Sequence, residues 1–463
     1  METRIDDAEP RSAQAAAATV AIVGRPNVGK SALFNRLVGK RLAIVDDLPG
    51  VTRDRLYALA EWRGRIFSLI DTAGIDDERT HAEFAAQTRA QAEIAAQNAD
   101  VIVFVVDGQT GRSPLDDEVA MIMRKTRRPV VLVANKTESE RVRAQIPGEF
   151  APLGFGPPIE VSAAHGEGTG DLLDAIVALF PPAGADAHDD AELALALIGR
   201  PNVGKSSLLN ALIGEERSIV SQTPGTTRDA IDSVFAFKDR RIRVIDTAGM
   251  NRKPQAHGSI EYYAALRSLG AIGRCDIAIL VIDSMTGVMN QDRRLAGIAL
   301  EQGKGLIVVA NKWDLARELG EFQQSDLMEV IREQMPFAAF APITFLSAMT
   351  KRRLGSLMPL VVTVSENLDR RVPTAKLNAV IRDAIHAHPP PAIGGRPLRI
   401  YYGAQVAAHP PLFIFHCNDP DLVGSSYRRF LENTLRAEFP FEGVPLTLEF
   451  RERTRDEGRD PGS

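Results

Sequence analysis

One octapeptide occurs twice in this chain, and it constrains everything around it. Gly24-Arg25-Pro26-Asn27-Val28-Gly29-Lys30-Ser31 returns as Gly199-Arg200-Pro201-Asn202-Val203-Gly204-Lys205-Ser206. Both copies fit G-x-x-x-x-G-K-[ST], the pattern of a loop that cradles phosphate. The glycines let the backbone curl until successive N–H groups face phosphate oxygens. The lysine adds positive charge at the β- and γ-phosphates, and the serine hydroxyl suits Mg²⁺. A short apolar run at 19–23 precedes the first copy, and apolar residues at helical spacing follow it over 32–38. Residues 193–198 and 208–213 flank the second copy in the same way. Strand, loop, helix is the order that sets a phosphate at a helix N-terminus. A glycine-rich turn matching by chance does not explain a motif duplicated together with its context.

The duplication extends well beyond the loop. Asp71-Thr72-Ala73-Gly74 recurs as Asp246-Thr247-Ala248-Gly249, and Pro49-Gly50-Val51-Thr52-Arg53-Asp54 as Pro224-Gly225-Thr226-Thr227-Arg228-Asp229. These pairs stand 175 residues apart, like Gly24 and Gly199. Asn135-Lys136-Thr137-Glu138 pairs with Asn311-Lys312-Trp313-Asp314, and Ser162-Ala163 with Ser347-Ala348. The order is kept and the length difference falls late, so a whole domain is duplicated rather than a short repeat. Near-continuous apolar runs at 101–106, 130–133, 277–282 and 306–309 predict strands covered on both faces. The expected fold is α/β: two mostly parallel sheets with helices on both faces.

After about residue 371 the pattern becomes helix, two strands, helix, strand, which predicts a small α+β domain over 371–453. The expected organisation is an N-terminal extension at 1–18, first and second units at 19–180 and 193–370, an acidic Pro/Gly/Asp-rich linker at 181–192, and a charged tail at 454–463. The extension and the tail are expected to be disordered. The net charge of −5 gives no general nucleic-acid signal, so any RNA contact must come from a local patch. Residues 376–463 hold eleven basic and eleven acidic side chains, so this region is neutral. Tyr401, Tyr402, Tyr427, Arg428 and Arg429 could stack on RNA, or the tyrosines could pack in the core with the arginines solvated. Cys275 and Cys417 have no paired spacing, which suits a reducing cytoplasm. No apolar run reaches the roughly 20 residues of a membrane span, so no membrane partner is expected.

The remaining repeats have definite chemistry. Asp71 and Asp246 end apolar strands, where a carboxylate reaches a Mg²⁺ shell. Gly74 and Gly249 can bring a backbone N–H against a γ-phosphate. Thr52 and Thr227 lie in loops where a hydroxyl can join Mg²⁺ only when that phosphate is present, which would make each loop a switch. Thr226 competes for the second role, and either Thr could merely stabilise a turn. In Asn-Lys-x-Asp the carboxylate accepts from two guanine N–H groups, the lysine stem lies on the ring and the asparagine braces the loop. Asp314 fits this pattern, while Glu138 is one methylene longer. The Ser162-Ala163 and Ser347-Ala348 segments would close over the base. After the glycine stand Ile75 and Met250, neither able to orient an attacking water as glutamine does.

Together these motifs resemble the translation-factor-related GTPases and, among them, the tandem-GTPase Der (EngA) family, over roughly residues 20–453. The resemblance implies GTP hydrolysis, a KH-like C-terminal domain, GTP and GDP as ligands, and work as a monomer in maturation of the large ribosomal subunit with its rRNA. It also implies a K⁺ ion near the phosphates, held by Asn27 and Asn202, in place of an arginine finger; these asparagines could instead only brace their loops. Glu138 departs from the family's usual Asp, and the extension is longer than its pattern requires. No G-x-x-G loop stands between the C-terminal helices. Two other readings use the same loop: a scaffold in which one unit binds GTP with little hydrolysis, and a tRNA-modification GTPase. The latter would carry one G domain and a C-terminal reactive cysteine.

Overall fold

The computed structural model describes residues 18–38, 57–71, 88–89, 92–93, 95–96, 99–126, 128–180, 192–215, 232–238, 240–245, 268–318, 323–390, 392 and 395–452. The readings for the extension, most of the linker, Thr52, Thr227, residues 72–75 and 246–250, and the tail lie outside them.

The first unit is a six-stranded sheet. Its strands are β1 (Thr19–Val23), β2 (Tyr57–Trp62), β3 (Arg65–Asp71), β4 (Val101–Asp107), β5 (Val130–Asn135) and β6 (Ile159–Val161), in the order β2-β3-β1-β4-β5-β6. All neighbours are parallel except β2 and β3. That antiparallel pair turns through Arg63 and Gly64, both at positive φ, a two-residue turn that matches strand twist. The helices are α1 (Lys30–Val38), α2 (Pro114–Lys125), α3 (Glu140–Phe150) and α4 (Thr169–Ala178).

The sheet is covered on both sides because alternate residues serve separate cores. Val20, Ile22, Val101, Val103 and Val105 pack with Leu33 and Phe34 of α1 and Leu172 of α4. Ala21, Val23, Ile102, Phe104 and Val106 pack with Val119 and Met123 of α2 and Phe150 of α3. Truncating one of the larger of these side chains to alanine costs about 2–5 kcal/mol.

The second unit repeats the plan. Its strands are β7 (Glu192–Ile198), β8 (Ser233–Phe237), β9 (Arg240–Val244), β10 (Ile277–Asp283), β11 (Gly305–Asn311) and β12 (Ile343–Phe345), in the order β12-β11-β10-β7-β9-β8. Its helices are α5 (Lys205–Glu215), α6 (Asn290–Glu301), α7 (Trp313–Glu318), α8 (Gln324–Gln334) and α9 (Leu357–Leu368).

The C-terminal unit follows the expected order: α10 (Thr374–Ala387), β13 (Ile400–Ala407), β14 (Leu412–Cys417), α11 (Ser425–Glu438) and β15 (Thr447–Glu452). β14 is central, antiparallel to β13 and parallel to β15. Phe413, Phe415, Leu431 and Leu435 form its core. Tyr427 is buried there, its hydroxyl donating to the His388 carbonyl, and Arg428 donates to the Leu448 carbonyl. Tyr427 therefore takes the core-packing alternative, while Arg428 is exposed and Tyr401 remains 46% exposed.

The C-terminal unit docks on the second. Leu306 N–H donates to Gly443 O over 2.8 Å, Gly443 N–H donates to Phe340 O over 2.9 Å, and the Arg436 guanidinium lies 3.8 Å from the Phe340 ring centroid. Among the described residues no helix is long and apolar enough to cross a membrane.

Candidate nucleotide sites

Both octapeptides form the predicted loop at the carboxyl end of a central parallel strand, where open α/β sheets take their ligands. The backbone conformation explains the glycines. Gly24 sits at φ +155° and Gly29 at +92°, with Gly199 and Gly204 at +135° and +98°. A Cβ at Gly24 would collide with the Val105 carbonyl, and one at Gly29 with the Asn135 amide; Val281 and Asn311 stand in the same places in the second unit. Asn27 and Asn202 hold φ near +65° and +63°, a left-handed conformation that asparagine tolerates. The Pro26 and Pro201 rings lie beside them, half-buried.

The lysines are held inside their own loops. Lys30 Nζ donates to Gly24 O at 2.8 Å and Arg25 O at 2.9 Å; Lys205 Nζ donates to Gly199 O at 2.7 Å and Arg200 O at 2.6 Å. Burial pulls the Lys205 ammonium down to about 8. An anion in the loop would raise it again. Ser31 follows Lys30 with an exposed side chain, and Ser206 is half-buried. Asp71 is fully buried at the end of β3, in register with Ile22.

The third motif ties the loops together. Asn135 Nδ2 donates to Val28 O over 2.8 Å, while its Oδ1 accepts from Ala163 N–H over 3.0 Å. Asn311 repeats both bonds, to Val203 O at 2.8 Å and from Ala348 N–H at 2.9 Å. One asparagine therefore joins the phosphate loop to the Ser-Ala segment in each unit. Thr137 and Trp313, the variable positions, turn inward. The Thr137 hydroxyl donates to Val161 O, and Trp313 packs edge-on against Phe345.

The fourth position separates the units. The Glu138 carboxylate is exposed and accepts from Ser162 Oγ over 2.6 Å; that hydrogen bond, against some desolvation, holds it below the usual carboxylate range. Asp314 Oδ1 is buried with no hydrogen-bond partner among the described residues. Ser347 Oγ accepts from Thr350 N–H over 3.1 Å, as Ser162 Oγ does from His165 N–H over 3.2 Å.

Family models match this layout. The one described as "50S ribosome-binding GTPase" matches residues 19–136 and 194–312. "KH-domain-like of EngA bacterial GTPase enzymes, C-terminal" matches residues 371–451. The GTPase Der of Listeria monocytogenes serotype 4a is 49% identical over 434 residues, covering 94% of this chain and 99% of that one. The chain belongs to the GTPase Der family. The GTPase Der of Geobacillus sp. strain WCH70 is 50% identical over 436 residues, 94% of this chain and 99% of its own. Among solved structures, Era in complex with MgGDPNP and nucleotides 1506–1542 of 16S ribosomal RNA overlaps at 21% identity and TM-score 0.29, covering 57% of this chain and 93% of that one. As a Der-family member the chain is a GTPase with two G domains and a KH-like C-terminal domain.

The donor sets of these Der-family sites can be tested against the ions expected there. Ser31 with Asp71 in the first G domain, and Ser206 in the second, offer hydroxyl and carboxylate oxygens, the hard donors Mg²⁺ prefers. Asn27 and Asn202 present exposed amides at the loop apex, and amide oxygen suits K⁺. The described pair Ser31 and Asp71 fits Mg²⁺ in the first G domain.

Sequence reasoning missed a second ring of side chains in this Der-family chain. Asp107 ends β4 beside Asn135 and binds Lys136 Nζ at 2.6 Å; Asp283 ends β10 beside Asn311 and binds Lys312 Nζ at 2.7 Å. Lys136 Nζ also donates to Asn27 O at 2.8 Å. Each bond fixes the lysine stem meant to lie on the base. Burial acts upward on the Asp107 carboxyl, but Lys136 and two backbone N–H groups overcome it and hold it low. The signal was present in the repeat: Asp107-Gly108-Gln109-Thr110-Gly111 stands against Asp283-Ser284-Met285-Thr286-Gly287.

Proposed function

We propose that this GTPase is a cytoplasmic, monomeric switch in assembly of the large ribosomal subunit, its two nucleotide states deciding whether the KH-like domain engages rRNA. The observation that carries the reading is the direct docking of the KH-like domain on the second G domain, through Leu306 of strand β11 and Gly443, which lies between α11 and β15. β11 ends at Asn311, which braces the phosphate loop, so a shift at the nucleotide can reach the KH-like domain along one strand.

Ser31, Asp71 and Thr52 in one domain, and Ser206, Asp246 and Thr227 in the other, would hold Mg²⁺, with K⁺ at Asn27 and Asn202. Bound there, these cations would offset negative charge on the phosphates, a role otherwise taken by an arginine finger. The protein's own part is to hold the triphosphate by loop N–H groups and lysine, and the guanine by Glu138 or Asp314. The match to a model described as ribosome-binding supports the partner.

The test is co-sedimentation with purified ribosomal subunits in GDP, in GTP and in a non-hydrolysable GTP analogue. Nucleotide-dependent binding to the large subunit is expected. Binding indifferent to nucleotide would defeat the switch.

A further inference from the structure

The side chain of the arginine in each phosphate loop has a task that the loop pattern does not require. Arg25 Nε donates to Asp116 Oδ2 at 3.3 Å, and its Nη2 donates to Thr110 Oγ1 at 2.5 Å and Gly111 O at 3.4 Å. Arg200 does the same in the second domain: Asp292 Oδ2 at 2.8 Å, Thr286 Oγ1 at 2.9 Å and Gly287 O at 3.1 Å. The receiving carboxylates are wholly buried. Each also accepts from its own helix N-cap, Ser113 N–H at 2.9 Å or Met289 N–H at 3.0 Å, so one oxygen serves both the helix start and the arginine. The other oxygen of each is buried with no partner among the described residues. Burial accordingly pushes both carboxyls up, against the pull of the N-cap and the arginine.

We propose that Arg25 with Asp116, and Arg200 with Asp292, are positioning pairs that hold each phosphate loop in its anion-binding shape before nucleotide arrives. The connection to the site is direct. The carbonyls of Arg25 and Arg200 accept from Lys30 and Lys205, so anchoring the arginine fixes the peptide that aims the ammonium. Two residues on, Asn27 and Asn202 stay left-handed, a conformation that persists only where the surroundings enforce it. The geometry also excludes these arginines as fingers on the γ-phosphate. Their forks are engaged by protein acceptors on the loop after β4 or β10. Lysine cannot replace that fork, because it lacks the planar, multi-donor geometry.

The experiment uses the full chain carrying Lys30→Ala, so that only the second site binds, with GDP and a non-hydrolysable GTP analogue as probes. Arg200→Lys and Asp292→Asn are each expected to raise both dissociation constants by the same factor, on the order of tenfold, comparable to ordering one more loop residue. Thr286→Val should show a smaller rise in the same direction. A fall in turnover at unchanged affinity, or no change in either, overturns the proposal. Arg200→Met combined with Asp292→Leu separates positioning from mere packing. An apolar pair of similar volume should restore the melting temperature, as buried ion pairs often allow, while the affinity deficit remains. Affinity recovering together with the melting temperature would show that the pair only holds the fold, and would equally overturn it.

Discussion

Gln302 Nε2 donates to Ser68 Oγ over 3.0 Å, a buried hydrogen bond between the two G domains whose partners stand 234 residues apart in sequence. Ser68 lies on β3, the strand that ends at Asp71, and Ile70 of the same strand joins the core of the second domain. Gln302 follows α6, and the next residue, Gly303, abuts Pro410 of the KH-like domain. One turn of the second domain therefore touches both others. Gln302→Leu should destabilise the chain by about 1–2 kcal/mol, the usual cost of losing a buried hydrogen-bond partner. Adding Ser68→Ala should recover most of that loss. Urea unfolding of the two single variants and the double variant reads the coupling, and simple additivity would deny it.

Asp314 and Glu138 predict unequal base selectivity. Asp314 keeps a buried carboxylate oxygen available for guanine N–H, whereas Glu138 is already engaged by Ser162. IDP lacks the guanine amino group. With Lys30→Ala leaving the second site, GDP should outbind IDP by roughly 10–100-fold, the worth of a hydrogen bond to a charged group. With Lys205→Ala leaving the first site, the preference should be smaller, and Ser162→Ala should alter it. Competition binding against a labelled GDP measures both ratios.

Lys205 predicts a pH dependence of the second site. With its ammonium at about 8, the site is charged at neutral pH and affinity is flat below that value. Above it, binding must take up a proton. GDP affinity should then fall by about tenfold per pH unit until the bound-state value is reached. Titration of the Lys30→Ala chain from pH 7 to 9.5 checks this, and a flat profile would contradict it.

His409 predicts a pH effect of the same direction at the KH-like domain. Its Nε2 lies 3.2 Å from Asp276 of the second G domain, and its Nδ1 lies 3.0 Å from Asp369 at the end of α9. The Asp276 hydrogen bond is the first cause that raises its pKa, with burial opposing and Asp369 assisting. Its contribution is therefore full below the unfolded value of about 6.5 and disappears as pH rises through the folded value. His409→Asn should remove the pH dependence of docking above about 6.5 while sparing GDP binding. Limited proteolysis between the domains, followed across pH 6 to 8.5, is the measure.

Much of the site was legible because it is local. The glycines, the lysine and the serine of each loop are consecutive, and their roles follow from backbone curl and charge, which eight residues determine. The parallel sheets were legible from apolar runs such as residues 101–106 and 277–282, whose covered faces need no knowledge of neighbours. Residue pairs distant in sequence were not. Asp116 and Asp292 stand in the first turns of helices, and only the fold carries Arg25 and Arg200 across to them. Tyr427 was open to reading as an RNA contact or a core residue until packing placed it.

The sequence by itself determined that two phosphate loops exist, which residues line them, and that a third α+β unit follows. These depend on spacing along a chain. Only the tertiary structure decided that Asn135 and Asn311 splice two loops, that Glu138 and Asp314 meet different partners, and that the turn at Gln302 joins all three units. Hydrogen bonds between buried groups form where the fold brings donors and acceptors together, and no local pattern encodes that meeting.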